Sequence, residues 1–331
     1  MDIVFKICLC FNVFSAKFFS DFILKDVNLI TPTTDNTAEK NIKLASHAGF
    51  CYGVKRAVET TKKLKLENPD KEIFVLGELI HNSQVINELK ELGIKTVDSL
   101  PVLQQKGSAI CVIRSHGAGY DVFADIKEKG YELVDLTCPD VKKVQDRAVQ
   151  LAKEDYFLII LGKEEHPEVA AITADAKEFA KNKDKIYVAK NLDALKKIET
   201  VIKKEQKIGI VIQTTQRIEY LKEVLDYLAP ISKELRVINT ICASTSLRQN
   251  EAKNLAKESD LMIVAGSKKS ANTTHLAEIL NPICKTIHIE DDSELDNYEE
   301  ILRNVTNIGV TAGASTPDYI IKRVMNKIEN I

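Results

Sequence analysis

Tryptophan is absent from the chain and methionine occurs only three times, which by itself excludes no class of fold. The lack of any charge bias excludes more. Forty-six basic residues stand against 48 acidic ones, a net charge of −2, so no global field draws the protein to nucleic acid or to a membrane surface. No run reaches the roughly 18 uninterrupted apolar residues of a membrane-spanning helix. Seven cysteines in 331 residues are too sparse for a disulfide scaffold, and their odd number fits a reducing compartment. No C-x-x-C pair is present, which argues against a structural zinc site. Neither a P-loop nor a G-x-G-x-x-G fingerprint stands at a strand–helix junction, so nucleotide sites of the usual kinds are excluded.

What remains is an ordinary globular composition, 44% hydrophobic and 28% charged, long enough for two or three domain-sized units. The first forty residues differ from the rest. Six of the eleven Phe lie there, with Cys8 and Cys10 beside them. Lys6 interrupts the apolar run and no small-residue cleavage site comes after it, so a secretory signal fits poorly. Asp2, Asp21 and Asp26, and the absence of Arg, argue against an organelle leader. Thr31 to Asn41 reads as a polar linker.

From Lys43 onward the chain repeats itself three times. Each repeat opens with a short strand ending in a cysteine that leads into an amphipathic helix: KLASHAGFCYGVKRAVETTKKL, ELVDLTCPDVKKVQDRAVQLAKE and RVINTICASTSLRQNEAKNLAKE. A buried strand closed by glycine comes next, 26, 24 and 24 residues after the cysteine, at Gly77, Gly162 and Gly266. A helical stretch, a short strand with acidic residues near its end, and a further strand with a polar turn (AICVIRSHG, IGIVIQTTQ, NIGVTAGAS) complete each unit. Short strands alternating with helices predict α/β units with mainly parallel sheets, arranged around a shared centre. The alternative is one large α/β domain with coincident spacing. The expected units are residues 41–134, 135–235 and 236–331, the third completed by the N-terminal or the C-terminal segment, with residues 1–40 outside the pattern.

Ligands of parallel sheets bind beyond the carboxyl ends of the strands, where helix N-termini offer free N–H groups. The polar residues gather at those ends: Cys51, His81, Asn82, Ser115 and His116 in the first unit; Cys138, His166, Glu168, Gln213, Thr214 and Thr215 in the second; Cys242, Ser270, Asn272, Ser315 and Thr316 in the third. One such cysteine alone reads as a small buried hydrophobe. Three in equivalent places read as the ligands of one iron–sulfur cubane whose fourth iron is free to act as a Lewis acid. Cys111, inside a strand, and Cys284 read as structural, as do His47, His275 and His288. His81, His116 and His166, with Ser, Thr and Asn donors, suit an anion cradle. Glu168 is the one acid of the set, a candidate proton donor, although a first-turn acid is equally accounted for by the helix dipole.

Taken in order, GFCYGVKRAVE, LGELIHN, IRSHG, DLTCPDVKKV, GKEEHPEV, QTTQ, NTICASTSLRQ, GSKKSANT and AGASTPD resemble the LytB family, the 4-hydroxy-3-methylbut-2-enyl diphosphate reductases of isoprenoid biosynthesis. The resemblance runs from about Asn41 to the C-terminus. It implies a pseudo-three-fold fold around a central [4Fe–4S] cluster held by Cys51, Cys138 and Cys242, with one open iron site. It further implies that His81, His116, His166, Ser270, Asn272 and Ser315 bind the substrate diphosphate. Glu168, with Thr214 and His166, would serve the chemistry, and Thr215 and Thr245 fall in matching motifs. Ala271 departs from the family's usual serine, and Tyr52 and Asp140 replace residues that are usually small or apolar.

The activity implied by the resemblance is reductive dehydroxylation of an allylic diphosphate to isopentenyl and dimethylallyl diphosphate. Electrons would come from reduced ferredoxin or flavodoxin, and neither nucleic acid nor membrane takes part. The expected compartment is the bacterial cytoplasm, or a plastid-type organelle if the N-terminal extension is a leader. Two other readings use the same three thiols: a dehydrating condensation enzyme of quinolinate-synthase-like architecture, which needs no external reductant, and a non-catalytic iron–sulfur sensor, which needs no anion cradle.

Overall fold

The computed structural model describes residues 40–331, so the expectations placed on the first 39 residues lie outside the described part. Three four-stranded sheets carry the fold, and every strand pair in them is parallel. The chain enters through β1 (Asn41–Leu44) and α1 (Tyr52–Glu67), then β2 (Glu72–Leu76), α2 (Ser83–Glu91), β3 (Ile94–Val97), β4 (Ala109–Ile113), α3 (Tyr120–Glu128) and β5 (Glu132–Asp135). The second round is α4 (Pro139–Lys153), β6 (Phe157–Leu161), α5 (Pro167–Phe179), β7 (Ile186–Ala189), α6 (Leu192–Lys197), α7 (Glu199–Ile202), β8 (Lys207–Ile212), α8 (Ile218–Leu228) and β9 (Glu234–Ile238). The third is α9 (Ala243–Ala256), β10 (Leu261–Ala265), α10 (Ala271–Leu280), β11 (Thr286–Ile289), α11 (Glu299–Arg303), β12 (Asn307–Ala312) and α12 (Asp318–Glu329).

The sheet orders are β3-β2-β4-β5, β7-β6-β8-β9 and β11-β10-β12-β1. The strand that precedes each cysteine therefore belongs to the sheet before the helix that comes after it. β5 closes the first sheet and β9 the second, while β1 travels back to pair with β12, Asn41 opposite Asn307 and Leu44 opposite Val310. The sequence repeat and the sheets are thus out of phase by one strand, and the N-terminal strand closes the cycle. Each cysteine lies where the chain leaves one sheet and starts the helix that covers the next.

Parallel strands buried on both faces need apolar residues at every position, which is why β4, β6 and β10 read AICVI, FLIIL and LMIVA and are buried throughout. Alternation assigns their residues to opposite faces. In the first sheet Ile73, Val75, Ile110 and Val112 meet Ala57 and Val58 of α1 and Val85 and Leu89 of α2. On the other face Phe74, Cys111 and Ile113 meet Ile126 of α3. The same division recurs around β6, with Leu158 and Ile160 under α4 and α5 and with Ile159 and Leu161 over α8. It recurs again around β10, with Val264 under α9 and α10 and with Ile263 against α12. Cys111 is fully buried in this core, and burial pushes its thiol up to about 12. No helix among the described residues is long and apolar enough to cross a membrane.

Candidate functional site

Three main-chain hydrogen bonds set the centre. The N–H of Cys138 donates to the Ser115 carbonyl (3.0 Å), that of Cys242 to Thr214 (3.0 Å) and that of Cys51 to Ala314 (3.3 Å). Each joins a cysteine to the second residue after β4, β8 or β12, the strand paired with the one that leads into that cysteine, so the three bonds are equivalent under the repeat. Cys51, Cys138 and Cys242 are the N-cap residues of α1, α4 and α9, and in none of the three does a side chain cap the first turn. The free N–H groups and dipoles of three helices therefore converge beside three thiols, an arrangement that favours negative charge on sulfur. All three cysteines are unpaired, partly buried, and line one cavity.

In the ligand-free protein burial raises the Cys138 thiol, opposed by the N–H groups of Asp140 and Val141 and by the Tyr52 hydroxyl. Cys242 is raised by burial too, opposed by Thr245. The Cys138 sulfur is packed hard against α1, since a Cβ built on Gly53 would stand 2.6 Å from it. Tyr52 donates to Asp140 (2.7 Å) across the same seam, and its hydroxyl stands 3.8 Å from the Cys138 sulfur.

The loops after β2, β4 and β6 each supply one imidazole. His81, His116 and His166 cluster with ring centroids 4.5, 5.4 and 5.6 Å apart. Burial, and then the neighbouring imidazoles, hold His116 well below the usual histidine range. Burial, then His81 and Arg114, hold His166 down to about 3. Both are neutral near pH 7 and can each give one N–H. His166 caps α5 by accepting the Glu168 N–H at Nδ1 (3.2 Å), which puts its own proton on Nε2. The His81 Nδ1 faces the Glu78 carboxylate at 3.0 Å, and the buried Nδ1 of His116 has no partner among the described residues. Ring nitrogens of the three lie within 4.8 Å of one another, but a proton on His166 Nε2 suits an anion better than a cation.

The third round completes the cradle with hydroxyls and an amide. Ser270 caps α10, accepting from the Thr273 N–H (3.4 Å), and keeps its own O–H free. Asn272 donates to Thr245 Oγ1 (3.2 Å) and accepts from Ala314 N (3.4 Å). Ser315 donates to the His81 carbonyl (3.2 Å), tying the third unit to the first.

Glu168 is 1% exposed. Burial raises it to about 7, although the N–H and hydroxyl of Thr214 each donate to its carboxyl oxygens at 2.7 Å. It lines the same cavity as the three cysteines, the three histidines, Thr214, Thr215, Ser270, Asn272 and Ser315. His275 instead bonds the Thr215 carbonyl (3.0 Å) and His288 the Gly266 carbonyl (2.9 Å), while His47 binds Glu251 outside the cavity (2.7 Å). Cys284 bonds the Ser259 carbonyl (3.2 Å).

One charged lining residue was missed from sequence. Arg248 of α9 is 3% exposed and lines the cavity. The repeat held the signal, because the positions six residues after Cys51 and Cys138 are Ala57 and Val144, both fully buried.

A family model described as LytB protein matches residues 42–329. A 4-hydroxy-3-methylbut-2-enyl diphosphate reductase of Aquifex aeolicus is 42% identical over 294 residues, covering 88% of this chain and 96% of that one. One from Clostridium tetani is also 42% identical over 88% of this chain, which spans only 44% of that longer protein. Two solved structures are similar. That of (E)-4-hydroxy-3-methyl-but-2-enyl diphosphate reductase, the terminal enzyme of the non-mevalonate pathway, is 39% identical with a TM-score of 0.64, covering 88% of this chain and all of that one. The Plasmodium falciparum reductase is 26% identical with a TM-score of 0.78, over 87% of each chain.

Proposed function

The chain belongs to the LytB protein family, and we infer from that premise that it reduces (E)-4-hydroxy-3-methylbut-2-enyl diphosphate to isopentenyl and dimethylallyl diphosphate. This is the last step of the non-mevalonate isoprenoid pathway, and the protein is an oxidoreductase. The family implies an iron–sulfur cofactor, and the residues fit one. Cys51, Cys138 and Cys242 are three free thiols on three uncapped helix N-termini around one cavity, with no fourth cysteine lining it among the described residues. That donor set suits a [4Fe–4S] cluster with one iron left open, rather than a closed four-ligand metal site. Bound there, the cluster would supply electrons one at a time and a Lewis-acidic iron.

The chain's own residues do the rest. His81, His116, His166, Ser270, Asn272 and Ser315 hold the diphosphate by donating to its oxygens, Ser315 by turning its hydroxyl away from the His81 carbonyl. The cradle lies on rigid strand ends and helix caps, so the allylic alcohol is oriented without reorganisation of the protein. Two electrons and two protons replace the C–O bond by C–H and release water. Glu168, raised to about 7, is half protonated near neutrality and is the acid of the cavity suited to that work. Thr214, bonded to both of its oxygens, fixes the carboxyl and passes a proton to the departing hydroxyl. A proton accepted at either end of the allyl unit gives one or the other product. A reduced ferredoxin or flavodoxin is the donor we assign, and the cytoplasm the compartment.

The observation that carries this reading is the meeting of three helix-capping thiols with Glu168 and three imidazoles in one cavity. Anaerobic reconstitution, then turnover with a reduced viologen, tests it. Dye oxidation with appearance of the two five-carbon diphosphates is expected. A reconstituted cluster without turnover would transfer the protein to the dehydratase or sensor class.

A further inference from the structure

Arg248 is a buried cation whose hydrogen bonds leave one corner unused. Its Nε donates to the His47 carbonyl (2.9 Å) and its Nη2 to the Gly49 carbonyl (2.7 Å), both in the loop that delivers Cys51. Its Nη1 is buried and has no partner among the described residues. The side chain starts from α9, which Cys242 caps, and it lines the cavity with Cys51 and Cys242. No carboxylate among the described residues forms an ion pair with it. Glu251, one turn further along α9, is occupied with the N–H groups of Ser46 (2.7 Å) and His47 (2.8 Å). Burying a guanidinium with an unanswered N–H is costly unless a negative group answers it. Ala57 and Val144, at the equivalent positions of α1 and α4, show that the helix-on-sheet packing itself asks for no charge there.

We propose that Arg248 is a positioning residue for the iron–sulfur cluster, its free Nη1–H left for the group that Cys51 and Cys242 would hold and making the added electron easier to hold. The proposal rests on those cysteines being ligands. A cubane core of two positive charges on three thiolates is a monoanion, and one electron from a low-potential donor makes it a dianion. A fixed cation and a charge-assisted N–H···S contact in a low-dielectric cavity stabilise the dianion more than the monoanion, which raises the reduction potential.

The test compares reconstituted wild type with Arg248→Gln, Arg248→Lys and Glu251→Gln. Iron and sulfide content is measured first, then the reduced fraction by electron paramagnetic resonance at a series of fixed potentials. Arg248→Gln should lower the reduced-to-oxidised ratio at a given potential about tenfold, a shift of about 59 mV for one electron. Arg248→Lys keeps the charge but cannot span both carbonyls and the cavity, and should lower the ratio about threefold. Glu251→Gln loosens the same loop and keeps the Arg248 charge while removing a carboxylate near it, and should lower the apoprotein's Tm without lowering the ratio. If Glu251→Gln lowers the ratio as far as the arginine variants, Arg248 is a loop clamp and the proposal falls. It falls equally if Arg248→Gln leaves the ratio unchanged. Should Arg248→Gln assemble no cluster, Arg248→Lys decides: a lower ratio supports the proposal and an unchanged one overturns it. A wild type that binds neither iron nor sulfide would instead sink the ligand assignment on which the proposal rests.

Discussion

Glu168, which we propose as the proton donor, carries its burial as a cost in stability. A carboxyl raised from 4.5 to about 7 makes the folded state bind a proton that the unfolded chain has released. Its ionisation therefore costs stability as pH rises from the unfolded value through the folded one, and costs nothing below both. Two and a half units correspond to on the order of 3 kcal/mol at most. Glu168→Gln should accordingly raise the apoprotein's Tm at pH 8 and have little effect at pH 4, read by calorimetry. The same variant should keep its cluster and its affinity for the diphosphate yet lose at least about 100-fold in kcat, the usual weight of a general acid. Undiminished turnover would remove Glu168 from the mechanism. In the parent enzyme kcat should fall on the alkaline side with a midpoint near 7, as the acid is lost, and the variant should lose that limb.

At the scale of the element, the first turns of α1 and α4 are packed so closely that residue size becomes a functional variable. Gly53 leaves room for the Cys138 sulfur, where a Cβ would stand 2.6 Å away. Gly53→Ala should push Cys138 out of place, an overpacking of about 1–3 kcal/mol. Cluster uptake, read as iron per chain, should drop well below that of the parent while far-ultraviolet circular dichroism stays the same. Full iron content in that variant would mean that the seam opens freely. β1 is the other sensitive element. It occupies the place in the third sheet that β5 and β9 occupy in theirs, and it leads directly into the Cys51 loop. A chain shortened to begin at Ala45 leaves the β12 edge unpaired. It should show a lower Tm, a tendency to associate through that edge, and weaker cluster retention during gel filtration.

For the molecule as a whole, the cradle sets the acid limit of stability. His116 and His166 are buried neutral, their folded-state values depressed below 6.5, that of His166 to about 3. The unfolded chain takes up these protons as pH falls below 6.5 while the native chain does not. The stability they contribute is therefore present above 6.5 and is lost progressively on the way to 3. Urea midpoints of the apoprotein should fall between pH 7 and pH 5, and inorganic diphosphate should restore part of the loss by binding only the native state. An unchanged midpoint at pH 5 would show that the imidazoles are already hydrated.

The sequence by itself determined the local pieces. Its strand runs, helix periods and repeated Cys-to-Gly spacing fixed parallel α/β units, because side-chain alternation and burial on both faces leave a periodic trace in the chain. It singled out Cys51, Cys138, Cys242, His81, His116, His166, Glu168 and Thr214 because strand ends and helix starts are where polar groups can face a ligand. Tertiary structure alone decided how those pieces join. That β1 pairs with β12, and so closes the cycle of sheets, depends on backbone hydrogen bonds between residues more than 260 positions apart, which no local pattern encodes. The same long-range packing turned Arg248 inward, on a helix face that two other units fill with Ala57 and Val144. It also brought Tyr52 against Asp140 and Gly53 against Cys138. Contacts of this kind arise only when separate units share one cavity, and there burial, rather than residue type, sets which groups are charged and which are free to react.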